Sequence, residues 1–142
     1  MKIGICSGHA GVGFKNTISE HLKARGHEVH NFGTDSEVSC DYPDFLNPMA
    51  DAVAKGELEA GIAICGTGNG MAIAANKHAG VRCGLAWDAE IASLVKRHNN
   101  ANVLALPARF IAEDKAIECV DAWLDAEFEG GRHQNRISKF VI

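Results

Sequence analysis

The stretch Gly61-Ile62-Ala63-Ile64-Cys65-Gly66-Thr67-Gly68-Asn69-Gly70-Met71 decides how this chain folds. Its first five residues form a short apolar run, which suits a strand buried on both faces of a sheet. The glycines then mark a tight turn. Met71, Ala74, Ala75 and His78 follow at i, i+3, i+4 and i+7, the spacing of one helical face. The stretch therefore reads as strand, glycine turn and helix.

The same order repeats outward in both directions. Lys2–Ser7, Glu28–Phe32, Val81–Trp87 and Val103–Leu106 read as further strands. Phe14, Ile18 and Leu22 mark a helix after the first strand, and Leu46, Met49, Ala50 and Val53 one before the third. Ile91, Leu94, Val95 and His98 line a helix after the fourth strand, and Ile117, Val120 and Leu124 one after the fifth. Parallel neighbours need a crossover helix between them, so the alternation predicts a doubly wound (Rossmann-like) α/β domain spanning residues 1–142. It would hold a five-stranded parallel sheet with helices on both faces. The character changes at Glu129-Gly130-Gly131-Arg132, and residues 129–142 read as a C-terminal arm.

Composition narrows the function. A chain of 142 residues with 46% hydrophobic and 23% charged residues has the balance of one soluble globular domain. The formal charge is -4, and Lys and Arg form no broad basic surface before the C-terminus, so nucleic acid is not an expected partner. Five cysteines without a Cys-x-x-Cys pair suggest neither a disulfide framework nor a zinc knuckle. A cytoplasmic protein is expected. No apolar run approaches membrane-spanning length, so a membrane is not an expected partner either.

Ligands of open α/β sheets bind beyond the carboxyl ends of the strands. The turns to inspect are Ser7 to Gly11, Gly66 to Gly70, and Trp87-Asp88. Gly66-Thr67-Gly68-Asn69-Gly70 would converge backbone N–H groups at a helix start, an anion site, although a purely structural turn has the same composition. Cys65 stands directly before it, where those dipoles favour a thiolate able to act as base or nucleophile. The first turn lacks Gly-x-Gly-x-x-Gly spacing and neither glycine turn ends in Gly-Lys-Ser/Thr, so dinucleotide and P-loop readings fail.

His98 falls in the last turn of its helix, where a histidine commonly caps carbonyls or packs inward. Helix ends and strand ends lie on opposite sides of one sheet, so His98 could meet Cys65 only if a second copy supplied it. Arg132 and Arg136 at i, i+4 could grip one phosphate, with Arg109 as a further cation; the alternative is a solvated basic tail. The seven histidines are dispersed and no His-Glu-x-x-His occurs, so no resident metal is expected. Asp41-Tyr42-Pro43 fits either a pocket wall or a turn that opens a helix.

Several motifs together resemble the type B ribose-5-phosphate isomerases and the related galactose- and allose-6-phosphate isomerases. They are Gly8-His9-Ala10-Gly11, Asp41-Tyr42-Pro43, Cys65 to Gly70, Ala74-Ala75-Asn76-Lys77, His98-Asn99-Asn100-Ala101-Asn102, and Glu129 to Arg136. The resemblance runs nearly end to end. It implies a cofactor-free, metal-independent aldose-ketose isomerase working through a cis-enediol, assembled as a homodimer or homotetramer whose sites are shared between subunits. Cys65 would take the C2 proton, with Thr67 and the N–H groups of Gly66, Gly68, Asn69 and Gly70 around the developing oxyanion. His98 of a second copy would open the sugar ring and Asn99 would hold sugar oxygens. His9, Arg109, Arg132 and Arg136 would bind the phosphate. Another branch of the family has Glu just after the glycine turn as base; here Met71 stands there.

One position departs from the pattern. The family usually has Asp directly before the first-loop histidine, and this chain has Gly8. Ribose 5-phosphate is the expected substrate. Gly8 leaves open a six-carbon sugar phosphate, or a sugar-phosphate binding protein that has lost activity.

Overall fold

The computed structural model describes residues 1–140; Val141 and Ile142, the end of the arm, lie outside the described residues. Five strands, β1 (Lys2–Ser7), β2 (Glu28–Asn31), β3 (Ala60–Cys65), β4 (Cys83–Leu85) and β5 (Val103–Pro107), alternate with α1 (Val12–Ala24), α2 (Pro43–Ala54), α3 (Asn69–Ala75), α4 (Ala89–Asn99) and α5 (Glu113–Asp125). A short α6 (Arg132–Ile137) follows, and a single 3-10 turn, His9–Gly11, leads from β1 into α1.

All strand pairs are parallel, in the order β2-β1-β3-β5-β4. The chain winds from β1 to β2 on one side, then returns to place β3 on the other. The β1–β3 boundary is therefore the topological switch point, where the ends of neighbouring strands open a crevice for ligands. Gly8 and Cys65 flank that crevice, and the Gly8 N–H donates to the Ile64 carbonyl at 2.9 Å.

Alternation along the strands divides the core. Ile3, Ile5, Ile62, Ile64, Leu104 and Leu106 face one layer, with Ile18 and Leu22 of α1, Ala92 of α4, and Val120 and Trp123 of α5. Cys6, Ala63 and Ala105 face the other, against Leu46, Met49 and Val53 of α2 and Met71 and Ala75 of α3. Gly4 and Gly61 make the notch that seats Met49. A Cβ on either would lie 2.7 Å and 2.9 Å from the methionine side chain.

Strands β3 and β5 each extend one residue beyond expectation, and other boundaries draw in, those of β4 and α3 for local reasons. β4 pairs only over Cys83–Leu85, because the Val81 N–H turns back to the His78 carbonyl and Asp88 already caps α4 through the Glu90 N–H. β2 stops at Asn31. Helix α3 ends at Ala75, since the Asn76 amide folds across to Cys83, accepting from its N–H at 2.8 Å and donating to its carbonyl at 2.9 Å. His78 thus lies beyond the helix and meets Asn47 instead.

The connection from β2 to α2 is long and is fastened at both ends. At its start the buried Lys15 ammonium donates to Asn31 Oδ1 at 3.1 Å and Asp35 Oδ1 at 2.7 Å. At its end Tyr42 is the N-cap residue of α2, with Pro43 in the first turn. The tyrosine segment is therefore the start of a helix, and its ring also reaches the glycine turn, as described next.

Candidate active site

At the carboxyl edge, β3 ends at Cys65 and α3 starts at Asn69, with Gly68 between them in the left-handed region at φ +77°. That conformation turns the Gly68 N–H back to donate to Cys65 Sγ at 3.2 Å. The Asn69 N–H donates to Thr67 Oγ1 at 3.2 Å, fixing the threonine over the turn. The segment after β5 clamps the approach: Ala108 N–H donates to the Cys65 carbonyl at 2.9 Å and Arg109 N–H to the Gly66 carbonyl at 3.0 Å.

Neighbours of the glycines define the rest of this edge. A Cβ on Gly66 would lie 3.1 Å from Arg109 Cδ and 3.3 Å from its Nη1, so the guanidinium lies over the turn. A Cβ on Gly70 would lie 2.5 Å from the Tyr42 Cζ, so the phenol covers the start of α3. At Gly8 a Cβ would meet Tyr42 Cβ at 3.5 Å and Cys65 Cβ at 3.9 Å, ordinary contacts. A side chain at position 8 would thus face the thiol, and glycine leaves that space open. Ser7 Oγ is fully buried without a hydrogen-bond partner among the described residues. His9 stands on the 3-10 turn beside these groups.

The other cysteines differ from Cys65. Burial, then the Cys83 and Cys65 thiols, push the Cys6 thiol far up. Burial alone raises Cys83 to about 12, and burial followed by Asp88 raises Cys119 to about 11. Those thiols stay protonated at neutral pH. Cys40 is half-buried in the β2–α2 connection.

The remaining expected residues gather at the opposite edge. Gly61, at the start of β3, donates its N–H to the Asn102 carbonyl at 2.9 Å, so the turn after α4 lies at the foot of the strand that ends in Cys65. Four steps along a strand separate Gly61 from Cys65, about 13 Å. His98 and Asn99, in the last turn of α4, are therefore on the far edge from the thiol of the same chain. Asn100 caps that helix at φ +48°, and buried Trp123 donates its indole N–H to the Ala101 carbonyl at 3.1 Å. Arg132 and Arg136 lie exposed on α6, which packs against α4.

Two residues outside the expected site join this second group. The His98 and His133 rings stack with centroids 4.2 Å apart and planes 12° from parallel. Glu129 Oε1 lies 3.8 Å from His98 Nε2 and 3.7 Å from His133 Nε2. Its Oε2 accepts from Arg97 Nε at 2.7 Å, and its N–H donates to the Arg97 carbonyl at 3.0 Å. The hydrogen bond from Arg97 is the first cause that holds the Glu129 carboxyl below the usual range. A cavity of about 730 Å³ opens alongside, lined in part by Arg82, Val95, Asn99, Ile137 and Phe140. It lies away from Cys65.

Three metal-type ligand atoms, of His98, Glu129 and His133, fall within 4.8 Å of one another, a grouping that sequence spacing did not reveal. Zinc requires donors that converge on one point at about 2.0–2.1 Å. Near-parallel rings aim their in-plane lone pairs side by side, and Arg97 holds the other carboxylate oxygen.

The fold and these two edges define a doubly wound domain with a thiol and a glycine turn at its switch point, and a histidine–arginine group at its opposite end. Residues 3–140 match the family described as Ribose/Galactose Isomerase. Ribose-5-phosphate isomerase B of Escherichia coli is 46% identical over 96% of this chain and 91% of its own length. The structure of ribose-5-phosphate isomerase B from Clostridium thermocellum is 50% identical, with a TM-score of 0.96 over 98% of this chain and 94% of that one. That of the Mycoplasma genitalium enzyme with bound ribulose 5-phosphate is 45% identical, with a TM-score of 0.95 over 99% and 93%. The chain belongs to the ribose/galactose isomerase family.

Proposed function

We propose that this protein is a cytoplasmic, metal-independent ribose-5-phosphate isomerase of the pentose phosphate route, active as a homodimer or homotetramer. The observation that carries the reading is Cys65, half-buried at the switch point with a backbone N–H aimed at its sulfur, on a chain 46% identical to a ribose-5-phosphate isomerase B. A relative bound to ribulose 5-phosphate supports the pentose over a six-carbon sugar or an inactive binding protein.

The chemistry runs in two stages. In the furanose the C2 proton is not acidic, so the ring opens first: His98 of a second copy donates a proton to the ring oxygen as the C1–O bond breaks and the C1 hydroxyl loses its proton. Cys65 thiolate then takes the C2 proton. The electron pair moves into C1=C2 and the carbonyl oxygen becomes an enediolate oxygen, stabilised by N–H groups of Gly66 to Gly70 and oriented by Thr67. Transfer of the O2 proton to the O1 enediolate oxygen and return of the thiol proton to C1 complete the ketose.

His9, Arg109, Arg132 and Arg136 bind the phosphate and Asn99 the sugar hydroxyls, which fixes the reacting carbons at the thiol. With Cys65 and His98 on opposite edges of one sheet, the complete site needs the carboxyl edge of one copy against the α4–α6 edge of another. Mixing two inactive variants, Cys65→Ala and His98→Ala, tests this. Activity in a coupled ketose assay that neither has alone is the expected result; a mixture as inactive as its components refutes the shared site.

A further inference from the structure

His133, stacked on His98, and the Glu129 carboxylate beside the pair have no part in the reading so far. Two imidazolium rings with centroids 4.2 Å apart would repel strongly, so the stack accommodates one positive ring. The two rings are not equivalent. His133 is 8% exposed, whereas the His98 side chain is 36% exposed. Burial, then His98 and Arg132, lower the His133 pKa against the pull of Glu129, with Arg136 lowering it further. Glu129 stays anionic because Arg97 is bonded to its far oxygen, and its near oxygen lies almost equally far from both imidazole Nε2 atoms.

The charged groups around the pair come from every element packed there. Arg97 lies on α4, Glu129 on the α5–α6 connection, and Arg132 and Arg136 on α6. Arg82, before β4, is bonded through Nε to the Asn100 carbonyl. From α5, Asp121 and Asp125 turn away to Arg25, and Lys115 pairs with Glu118. Among the described residues, Glu129 is therefore the only carboxylate that these pairings place against the two rings.

We propose that Glu129 and His133 are positioning residues for His98: the carboxylate beside its Nε2 and the stacked ring behind it together fix the plane of the exposed imidazole toward the ligand. Glu129 supplies a fixed negative charge at the edge of the ring. His133 supplies a flat, uncharged backing that cannot take the proton away without leaving a cation buried beside Arg132 and Arg136. Loss of the carboxylate leaves the ring stacked but held on one side only. This rests on the reading of His98 as the ring-opening acid.

Ring opening can be isolated from isomerisation. In a Cys65→Ala background no C2 proton is taken, yet α- and β-ribofuranose 5-phosphate can still interconvert through the open chain, read as NMR exchange between the anomers. Cys65→Ala should speed this exchange over buffer. Adding Glu129→Gln should slow the enzyme-dependent part by about tenfold or more, the scale of a mispositioned general acid. Glu129→Asp should recover part of it. Should Cys65→Ala/Glu129→Gln exchange the anomers as fast as Cys65→Ala, the proposal is overturned. Should Cys65→Ala/His98→Ala do so as well, or should Cys65→Ala itself give no acceleration, the reading of His98 fails too. A loss on His98→Ala that Glu129→Gln does not share leaves that reading intact and removes only the positioning role.

Discussion

Replacing Gly68 by alanine tests the part of the site that most constrains the chain. At φ +77° an L-residue is disfavoured by about 1–2 kcal/mol. The added Cβ would also stand 2.3 Å from Leu85 Cδ1 and 3.2 Å from the Leu106 carbonyl carbon. Leucine can turn aside, but the β5 backbone cannot, so overpacking adds roughly 1–3 kcal/mol. The total is about 2–5 kcal/mol of folding stability, read by equilibrium urea unfolding. Gly13→Ala is the control. Gly13 lies in α1 with nothing within 4 Å of its added Cβ, and alanine there should stabilise by roughly 0.5–1 kcal/mol. The displaced backbone of Gly68→Ala also withdraws the N–H from Cys65 Sγ, so turnover per folded molecule should drop about tenfold or more, as for the loss of roughly 1.4 kcal/mol at the transition state. A variant within about 0.5 kcal/mol of the parent and equally active would refute the account of this turn.

Two further outcomes follow from the same geometry. Arg109→Ala removes the guanidinium that lies over Gly66 and should raise KM for the sugar phosphate about tenfold or more, consistent with one charge-assisted hydrogen bond; steady-state kinetics showing an unchanged KM would take Arg109 out of the phosphate site. Alkaline stability has a definite sign. Cys83 ionises near 9.0 in the unfolded chain but near 12 in the folded one, so above pH 9 the unfolded state holds fewer protons and stability falls as pH rises through that window. Urea midpoints should drop between pH 8 and 10.5, less steeply in Cys83→Ala. Parallel profiles for the two proteins would contradict the assignment.

The strands and their parallel pairing were legible in the sequence because each is a compact apolar run between turn residues, and β3 with its glycine turn is the clearest of them. Edges were harder to read. The apolar run around β4 continues past Leu85 to Ala86 and Trp87, but the paired strand ends before the Asp88 cap that starts α4. The same limit applied to His78, whose helical spacing was right while Asn76 diverted the chain to Cys83. Cys65 was legible because strand, thiol and glycines are contiguous. Tyr42 was ambiguous because it is both the start of α2 and a cover for Gly70, and only the second role is remote in sequence. Glu129 and His133 stood inside a quoted motif, but their meeting with His98 and Arg97 across about thirty residues has no local signal.

The connection between Asn31 and Tyr42 is secured by a buried lysine at one end and by a helix start against the glycine turn at the other. Between them Ser36 to Ser39 are exposed and belong to no strand or helix. Loop closure charges only about 0.6 kcal/mol for each doubling of length. Residues can therefore be inserted or exchanged in this span while both fastenings, and the tyrosine they deliver, stay where they are. Among homologous chains the span is free to diverge in length and chemistry, a reservoir of variation at the rim of the crevice that leaves the thiol undisturbed.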